Sequence, residues 1–381
     1  MGLPLTAMAL LTAVACASCF SVPPEGAAAT TEPAPFSAVA PIPRRRILAQ
    51  PFQPDSIVEE AIDRGLRWLV RHQGPDGAWH AANFSKECVP QVTGCLNPGQ
   101  PEHTSGATAA AVLAFMGDGS THTQGRFRNQ VKAGLRFLIE HQAASGAFTA
   151  ELGMYHITNH VLATLAVVES YNATKSHIFK KSAVAGLRYL ATWQLPGGGF
   201  PSSRNASEEP DPVTSAWALI TLMIENPLLT LQDDTMLSQA MLFARKRFED
   251  APADPANMAS MLFVNKLWPV GRSQARIDSA FTDLLVSRAD FVMNRPKQQT
   301  VLYSVTSRYF AEHVTHQQAH RTQGSSAILL SEHARGCTAG SWTEEESHGW
   351  AASGGRVAST ALTLLTLQVP RHFRPLVNFQ N

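Results

Sequence analysis

From about Asp55 onward the chain alternates between two kinds of apolar pattern. In the first, Ile62, Leu66, Leu69 and Val70 recur at three- and four-residue steps with charged residues between them. That period puts the apolar residues on one helical face and leaves the other to water. In the second, Thr104 to Met116, Met154 to Tyr171 and Val213 to Ile224, Ala and Leu dominate and charges are few all round, which marks helices covered on most sides. The alternation predicts two concentric layers, charged outer helices around apolar inner ones. Downstream, Asp234 to Phe248 reads as outer, Ala256 to Leu267 as inner, Gln274 to Met293 as outer and Val301 to Glu312 as inner, with Arg356 to Val369 as a last apolar helix. The total is about six helix pairs, each helix of ordinary length.

The outer helices end in a repeated motif. Gly65-Leu66-Arg67-Trp68-Leu69 runs to Gln73, Gly77 and Trp79; Gly134-Leu135-Arg136-Phe137-Leu138 runs to Gln142, Gly146 and Phe148; Gly186-Leu187-Arg188-Tyr189-Leu190 runs to Gln194, Gly198 and Phe200. The three align without a gap, so they form an internal repeat, and a repeat fixes the architecture before other signals do. The second Gly of each copy falls where a loop must turn sharply. The Gln lies where it reaches backbone groups that helix ends leave unpaired, and the aromatic two residues beyond the Gly stacks over it. Both are expected to be structural struts between repeats. Gly340-Ser341-Trp342 repeats the Gly-x-aromatic turn near the end of the chain. A closed ring needs no polar capping repeat, and none is visible.

With 381 residues, 44% of them apolar, the chain can bury a large core. Its 31 basic and 30 acidic residues are scattered, so no basic field is available for nucleic acid. Residues 1–20, apolar from Leu3 to Phe20, read as a signal peptide or as a lipoprotein leader in which Cys16 of Ala13-Val14-Ala15-Cys16 carries the lipid; a short membrane anchor is the third choice. Residues 21–54, rich in Pro and Ala, cannot bury enough surface to order themselves and form a tether. Residues 55–381 form the folded domain. The expected location is extracytoplasmic, whether secreted, periplasmic or lipid-anchored, with membrane contact only through the leader or anchor.

Of five cysteines, Cys16 and Cys19 belong to the leader. Cys88 and Cys95 sit in a polar insertion, where an oxidising compartment allows a small disulfide loop, and free thiols are the alternative. Cys337 is then unpaired. A zinc site from Cys88, Cys95 and His80 or His103 matches no standard ligand spacing, so neither metal nor cofactor is expected.

The three motifs, Met154-Tyr155 followed by Leu162-Ala163-Thr164-Leu165-Ala166, the stretch Asp211 to Trp217, and Gly355-Arg356-Val357-Ala358-Ser359-Thr360-Ala361-Leu362 together resemble the glutamine and tryptophan turn pattern of the terpenoid cyclase and protein prenyltransferase superfamily. The chain is most similar to bacterial exported proteins with prenyltransferase and squalene oxidase repeats, over about Asp55 to Pro375. The resemblance implies an all-α fold, a single-domain α/α toroid of inner and outer helices. It does not bring the superfamily's usual chemistry with it. The Asp-x-Asp-Asp acid of squalene-hopene cyclases is absent, the nearest stretch being Leu231-Gln232-Asp233-Asp234-Thr235, where Asp233, Asp234 and Thr235 read as helix caps. The Asp-x-Cys pair of the zinc-dependent prenyltransferases is missing, and Cys337 is followed by Thr338-Ala339-Gly340 and not by the Gly-Glu-Gln of a thioester domain.

Candidate chemistry therefore rests on polar residues at the starts of inner helices. Tyr155, His156, Asn159 and His160 share one inner helix, with His156 and His160 on one face. Such a pair can share a metal with Glu151 or Asp211, or can bond to backbone in a tight stack. Asp211 before Pro212 is a helix cap or a relocated acid. Trp217 and Tyr303 line a cavity or fill the core, and His313, His316, His320, His333 and His348 belong to polar loops. The leading functional expectation is a toroid that binds an apolar small molecule or a protein partner. The alternative is a terpenoid or isoprenoid enzyme with an unusual acid or metal site.

Overall fold

A computed structural model of the chain describes residues 56–88, 94–149, 153–204, 209–224, 234–249, 259–260, 263, 309–312, 332–333, 335–343 and 349–369. The leader and tether, most of the downstream helices expected between residues 256 and 312, Tyr303 and Asp233 lie outside these residues. The described helices are α1 (Ser56–Arg71), α2 (Thr104–Gly117), α3 (Arg128–Glu140), α4 (His156–Thr174), α5 (His177–Ala191), α6 (Pro212–Met223), α7 (Asp234–Glu249), α8 (Trp350–Ser353) and α9 (Gly355–Gln368). They form the expected all-α toroid. The extended pairing among the described residues is a single bridge between His333 and Ser341.

The inner helices α2, α4, α6 and α9 run parallel. Their starts meet through Thr158 and Thr214, whose hydroxyls lie 2.8 Å apart, and through Asn159, whose amide donates to the Glu102 carbonyl. Their ends meet where Gln368 donates to the Ala114 carbonyl and Asn172 to that of Ile224. Small residues set this packing: a Cβ on Gly106 would collide with the Asn159 side chain, and one on Gly117 with that of Gln368.

The turn motif performs one operation four times. Gly77, Gly146, Gly198 and Gly340 all have positive φ, between 87° and 96°, and a Cβ on any of them would strike a backbone carbonyl of the following outer helix: Ala133, Ala185, Gln239 and, for Gly340, Arg64. The fourth contact returns to α1, so the ring closes on its first repeat. Gln73, Gln142 and Gln194 then tie each turn to its neighbour. Each donates through Nε2 to its own turn's Gly carbonyl at 2.9–3.0 Å and to a carbonyl at the start of the next outer helix, Gln130, Ser182 or Met236, at 2.8–3.0 Å.

The motif aromatic reaches into the adjoining repeat. Its ring covers the first Gly of the next repeat: a Cβ on Gly134 would lie 3.0 Å from the Trp79 ring, one on Gly186 2.8 Å from Phe148, and one on Gly65 2.9 Å from Trp342. The motif's first glycine is therefore a landing place for the preceding aromatic. The aromatic's own N–H is held by an inner-helix side chain: Trp79 by Thr108, Phe148 by His160, Phe200 by Ser215 and Trp342 by Thr360. The strut geometry sets an expectation for Gln142→Ala. It removes two donated bonds and leaves the Ser182 hydroxyl, 2.7 Å from Gln142 Oε1, without its acceptor, a loss of about 1 to 3 kcal/mol. Thermal denaturation checks this; an unchanged melting temperature would show that the Gln carries no structural load.

Candidate functional site

The starts of the inner helices form one rim of the toroid. Tyr155 precedes α4 in the left-handed region at φ 65°, ψ 19°, a conformation that non-glycine residues adopt only when held there. Asp211 caps α6: its Oδ1 accepts from the Thr214 N–H at 2.6 Å and from the Thr214 hydroxyl at 2.5 Å, and Pro212 follows at the first helical position. Asp211 keeps a partly exposed edge, yet desolvation by its surroundings raises its pKa against the two bonds from Thr214. Burial likewise raises that of the Tyr155 phenol, and Asp211 adds to it, while a backbone hydrogen bond from Gly349 opposes both.

Asn159 is fully buried at the centre of the rim. Its Oδ1 accepts from the Trp350 indole at 2.6 Å, which spans 191 residues of sequence and joins α4 to α8. Beside it stands His103, at the end of a short 3-10 turn, Pro101–His103. The His103 ring is fully buried, packs 6.0 Å from Tyr155 and 6.4 Å from Trp350, and among the described residues neither nitrogen has a hydrogen-bond partner. Burial lowers the His103 pKa to about 4, outweighing the Glu102 charge and the nearby Asn159 amide, which favour protonation. Glu102 sits next to it, its side chain against Gly153.

The paired histidines of α4 part company. His160 Nδ1 accepts from the Phe148 N–H at 3.3 Å and Nε2 donates to the Gly186 carbonyl at 2.9 Å, leaving no lone pair for a metal. It is a strut of the turn motif, and burial lowers its pKa to about 4. His156 turns to the Gly153 carbonyl and stacks edge-on with Trp193 at 5.1 Å. Trp217 belongs to the core, stacked 5.0 Å from Tyr309 and Phe310. His333 is bonded to Thr343, while Glu151, His313, His316, His320 and His348 lie outside the described residues.

Cys88 and Cys95 are free thiols, and so is Cys337. Their sulfurs gather around His72, and neither histidine suggested by the sequence joins them: His80 is tied to Asp76 at 2.9 Å, and His103 belongs to the rim. Glu102, Trp350 and His72 are absent from the sequence reading of the site, and His103 entered it only as a possible zinc ligand. His103 and Trp350 carried no local pattern, although the small-residue start of α2 placed His103 at an inner helix N-terminus.

No protein-family profile matches the chain, and no curated protein sequence does. Among solved structures, a protein described as a novel alpha-amylase from Clostridium perfringens superposes with a TM-score of 0.55 at 8% identity, over 81% of this chain and 97% of that one. The fold is an α/α toroid. At that identity the likeness speaks for architecture alone.

The buried neutral histidines give the rim an acid-sensitive stability. His103 and His160 have folded pKa values of about 4, below the unfolded value of roughly 6.5. Their contribution is fully present above the unfolded pKa and is lost as pH falls toward about 4. Each shift has an upper bound of ~3 kcal/mol. Melting temperature followed from about pH 7 to about pH 4 should fall steadily, and His103→Gln should flatten part of that slope; a flat profile in the unaltered protein would refute burial of neutral imidazoles.

Proposed function

We propose that the chain is an exported toroid of the squalene-cyclase-like repeat kind that works as a binding module, taking a protein partner at the rim where the inner helices begin. The burial of the described inner helices carries this reading. Every residue from Gly106 to Phe115, from His156 to Val168 and from Gly355 to Gln368 is buried. Among the described residues, these stretches offer no exposed wall to a lumen, whereas a cyclase folds its hydrocarbon inside one and guides cations with aromatic faces. The rim offers a different surface. Tyr155 and Asp211 keep partial exposure there, and two large apolar side chains stand out beside them, Met154 at 63% and Leu96 at 69% exposed. Aromatic and apolar anchors set among hydrogen-bonding groups are the composition of a protein interface.

Asp211 supports a second reading, that of an enzyme. A carboxyl with a raised pKa beside a phenol is suited to proton donation, and this is the relocated acid that isoprenoid chemistry would require. The solved toroid described as an alpha-amylase adds carbohydrate as a substrate class. Glycoside cleavage needs a second carboxylate across the bond, and Glu102 is the described candidate.

The test is a photo-crosslinker introduced at Met154 in the chain expressed in its native envelope, followed by intact-mass analysis. We expect a protein adduct of defined mass. Met154→Asp together with Leu96→Asp, which leave melting within about 0.5 kcal/mol of the parent, should lower partner affinity at least about tenfold, or 1.4 kcal/mol. A stoichiometric isoprenoid on the purified chain, or turnover of a glycan that Asp211→Asn abolishes, would replace the binding reading by the enzymatic one.

A further inference from the structure

At the seam where the ring closes, four side chains from three separate segments converge. His72 follows the end of α1, Cys88 follows the 3-10 turn Phe84–Glu87, Cys95 lies in the loop that leads to α2, and Cys337 sits in the 3-10 turn Gly336–Thr338. Their ligand atoms all lie within 4.8 Å of one another. His72 Nε2 is 3.3 Å from the sulfur of Cys337, 3.5 Å from that of Cys88 and 3.4 Å from that of Cys95. We propose that His72, Cys88, Cys95 and Cys337 form a structural zinc site that fastens the first repeat of the toroid to the last.

The distances suit the ion. With Zn–N near 2.0–2.1 Å and Zn–S near 2.3 Å, a tetrahedral centre separates nitrogen from each sulfur by about 3.6 Å and sulfur from sulfur by about 3.8 Å. Three thiolates and one imidazole are a closed, four-coordinate set of the structural kind, too soft and too few for calcium or magnesium.

The surroundings prepare the ligands. His72 Nδ1 lies 2.8 Å from the Trp68 carbonyl, an atom that only accepts, so Nδ1 carries the proton and the Nε2 lone pair faces the three sulfurs. A histidine ligand is ordinarily oriented by such a bond. The ring is also stacked on Trp68 with centroids 4.1 Å apart, and the same indole donates to the Cys337 carbonyl at 2.9 Å. One residue thus positions two ligands from opposite ends of the chain.

Charge points the same way. Arg356 is only 2% exposed, and its hydrogen bonds to described residues go to neutral oxygens, those of Leu96, Ser341 and Asn97, at 2.8–3.1 Å. A buried guanidinium without an anion is costly. Cys95 and Cys337, if ionised, are the charges that stabilise it. Zinc with three thiolates and a neutral imidazole carries a net charge of −1 and supplies an anion where the guanidinium has none among the described residues. Binding converts three thiols to thiolates and releases three protons.

The site has a mechanical role. His72 and Cys337 are 265 residues apart in sequence, and a cross-link over so long a loop restricts the unfolded chain strongly. Cys95 also anchors the loop whose Leu96 and Asn97 hold Arg356, whose Gly99 and Gln100 bond to Ala81 and Ser353, and whose far end delivers Glu102 and His103 to the rim.

The test is elemental analysis and intact mass of the exported chain purified without chelator. We expect one zinc per chain, Cys88, Cys95 and Cys337 unreactive to alkylation until a strong chelator is added, and a melting temperature lower by at least about 5 °C after zinc removal. Replacement by cobalt(II) should give thiolate-to-metal charge-transfer bands and the intense visible bands of a tetrahedral centre. Cys337→Ser should weaken zinc binding at least about a hundredfold, while Cys337→His, which keeps a ligand, should retain the metal. A metal-free chain lighter by two hydrogens, with Cys88 bridged to Cys95, would overturn the proposal, as would undiminished zinc in Cys337→Ser. If that variant does not fold, the cobalt spectrum of the unaltered protein decides, and the absence of thiolate bands overturns the site. Neither outcome bears on partner binding at Met154, which the crosslinking experiment reads independently.

Discussion

The ring stands on the contact between a turn glycine and the backbone of the next outer helix. At Gly77, Gly146, Gly198 and Gly340 the chain comes so close to a neighbouring carbonyl that no side chain fits between them. Backbone against backbone is the tightest spacing two segments can take, and it sets the angle at which one repeat follows another. The glutamine and the aromatic then hold that spacing from either side, one by hydrogen bonds to its own turn's carbonyl and to a carbonyl in the first half of the next outer helix, the other by covering a glycine on the adjoining helix. Because the fourth contact lands on Arg64, the same local rule that propagates the repeats also ends them.

The described inner layer is as closely spaced as the outer one. Alanine-rich α2 packs against both α4 and α9 because its side chains are short. Polar groups gather at the rim, where helix starts bring them together and one residue, Tyr155, is held in the left-handed backbone conformation. Parallel inner helices also direct the positive ends of their dipoles to that same rim, a setting in which the carboxylate of Asp211 is at home.

Much of the fold was legible because it is built from short-range periodicity. The inner helices α2, α4, α6 and α9 lie within three residues of where apolar composition places them, and the turn motif recurs in three copies of fifteen residues each. The role of the first glycine was not legible, since a helix-interior glycine has meaning only when the ring that covers it comes from another repeat. His160 was legible only as one of two readings: its spacing from His156 suits a metal as well as a backbone bond, and the structure shows the backbone bond, with Thr108, Ser215 and Thr360 performing it in the equivalent place of other repeats. The thiol and imidazole cluster was hidden most completely. Its ligands obey no local spacing because the fourth arrives from the far side of a closed circle, and His72 sits inside the repeat motif, where it reads as ordinary helix end.

Ring closure also orders events in time. Helix α1 has its two flanking walls at opposite ends of the sequence, α2 early and α9 late, so a chain emerging from its N-terminus has no complete neighbourhood for its first helix until nearly all of it is available. At ordinary synthesis rates that interval is on the order of tens of seconds, during which Trp68 and Leu69 have nothing to lie against on one side. An open solenoid would let each new repeat cover the last. A circle instead leaves its opening repeat waiting, and commits it to its mature surroundings in a single late step, when the Gly340 turn and Trp342 arrive.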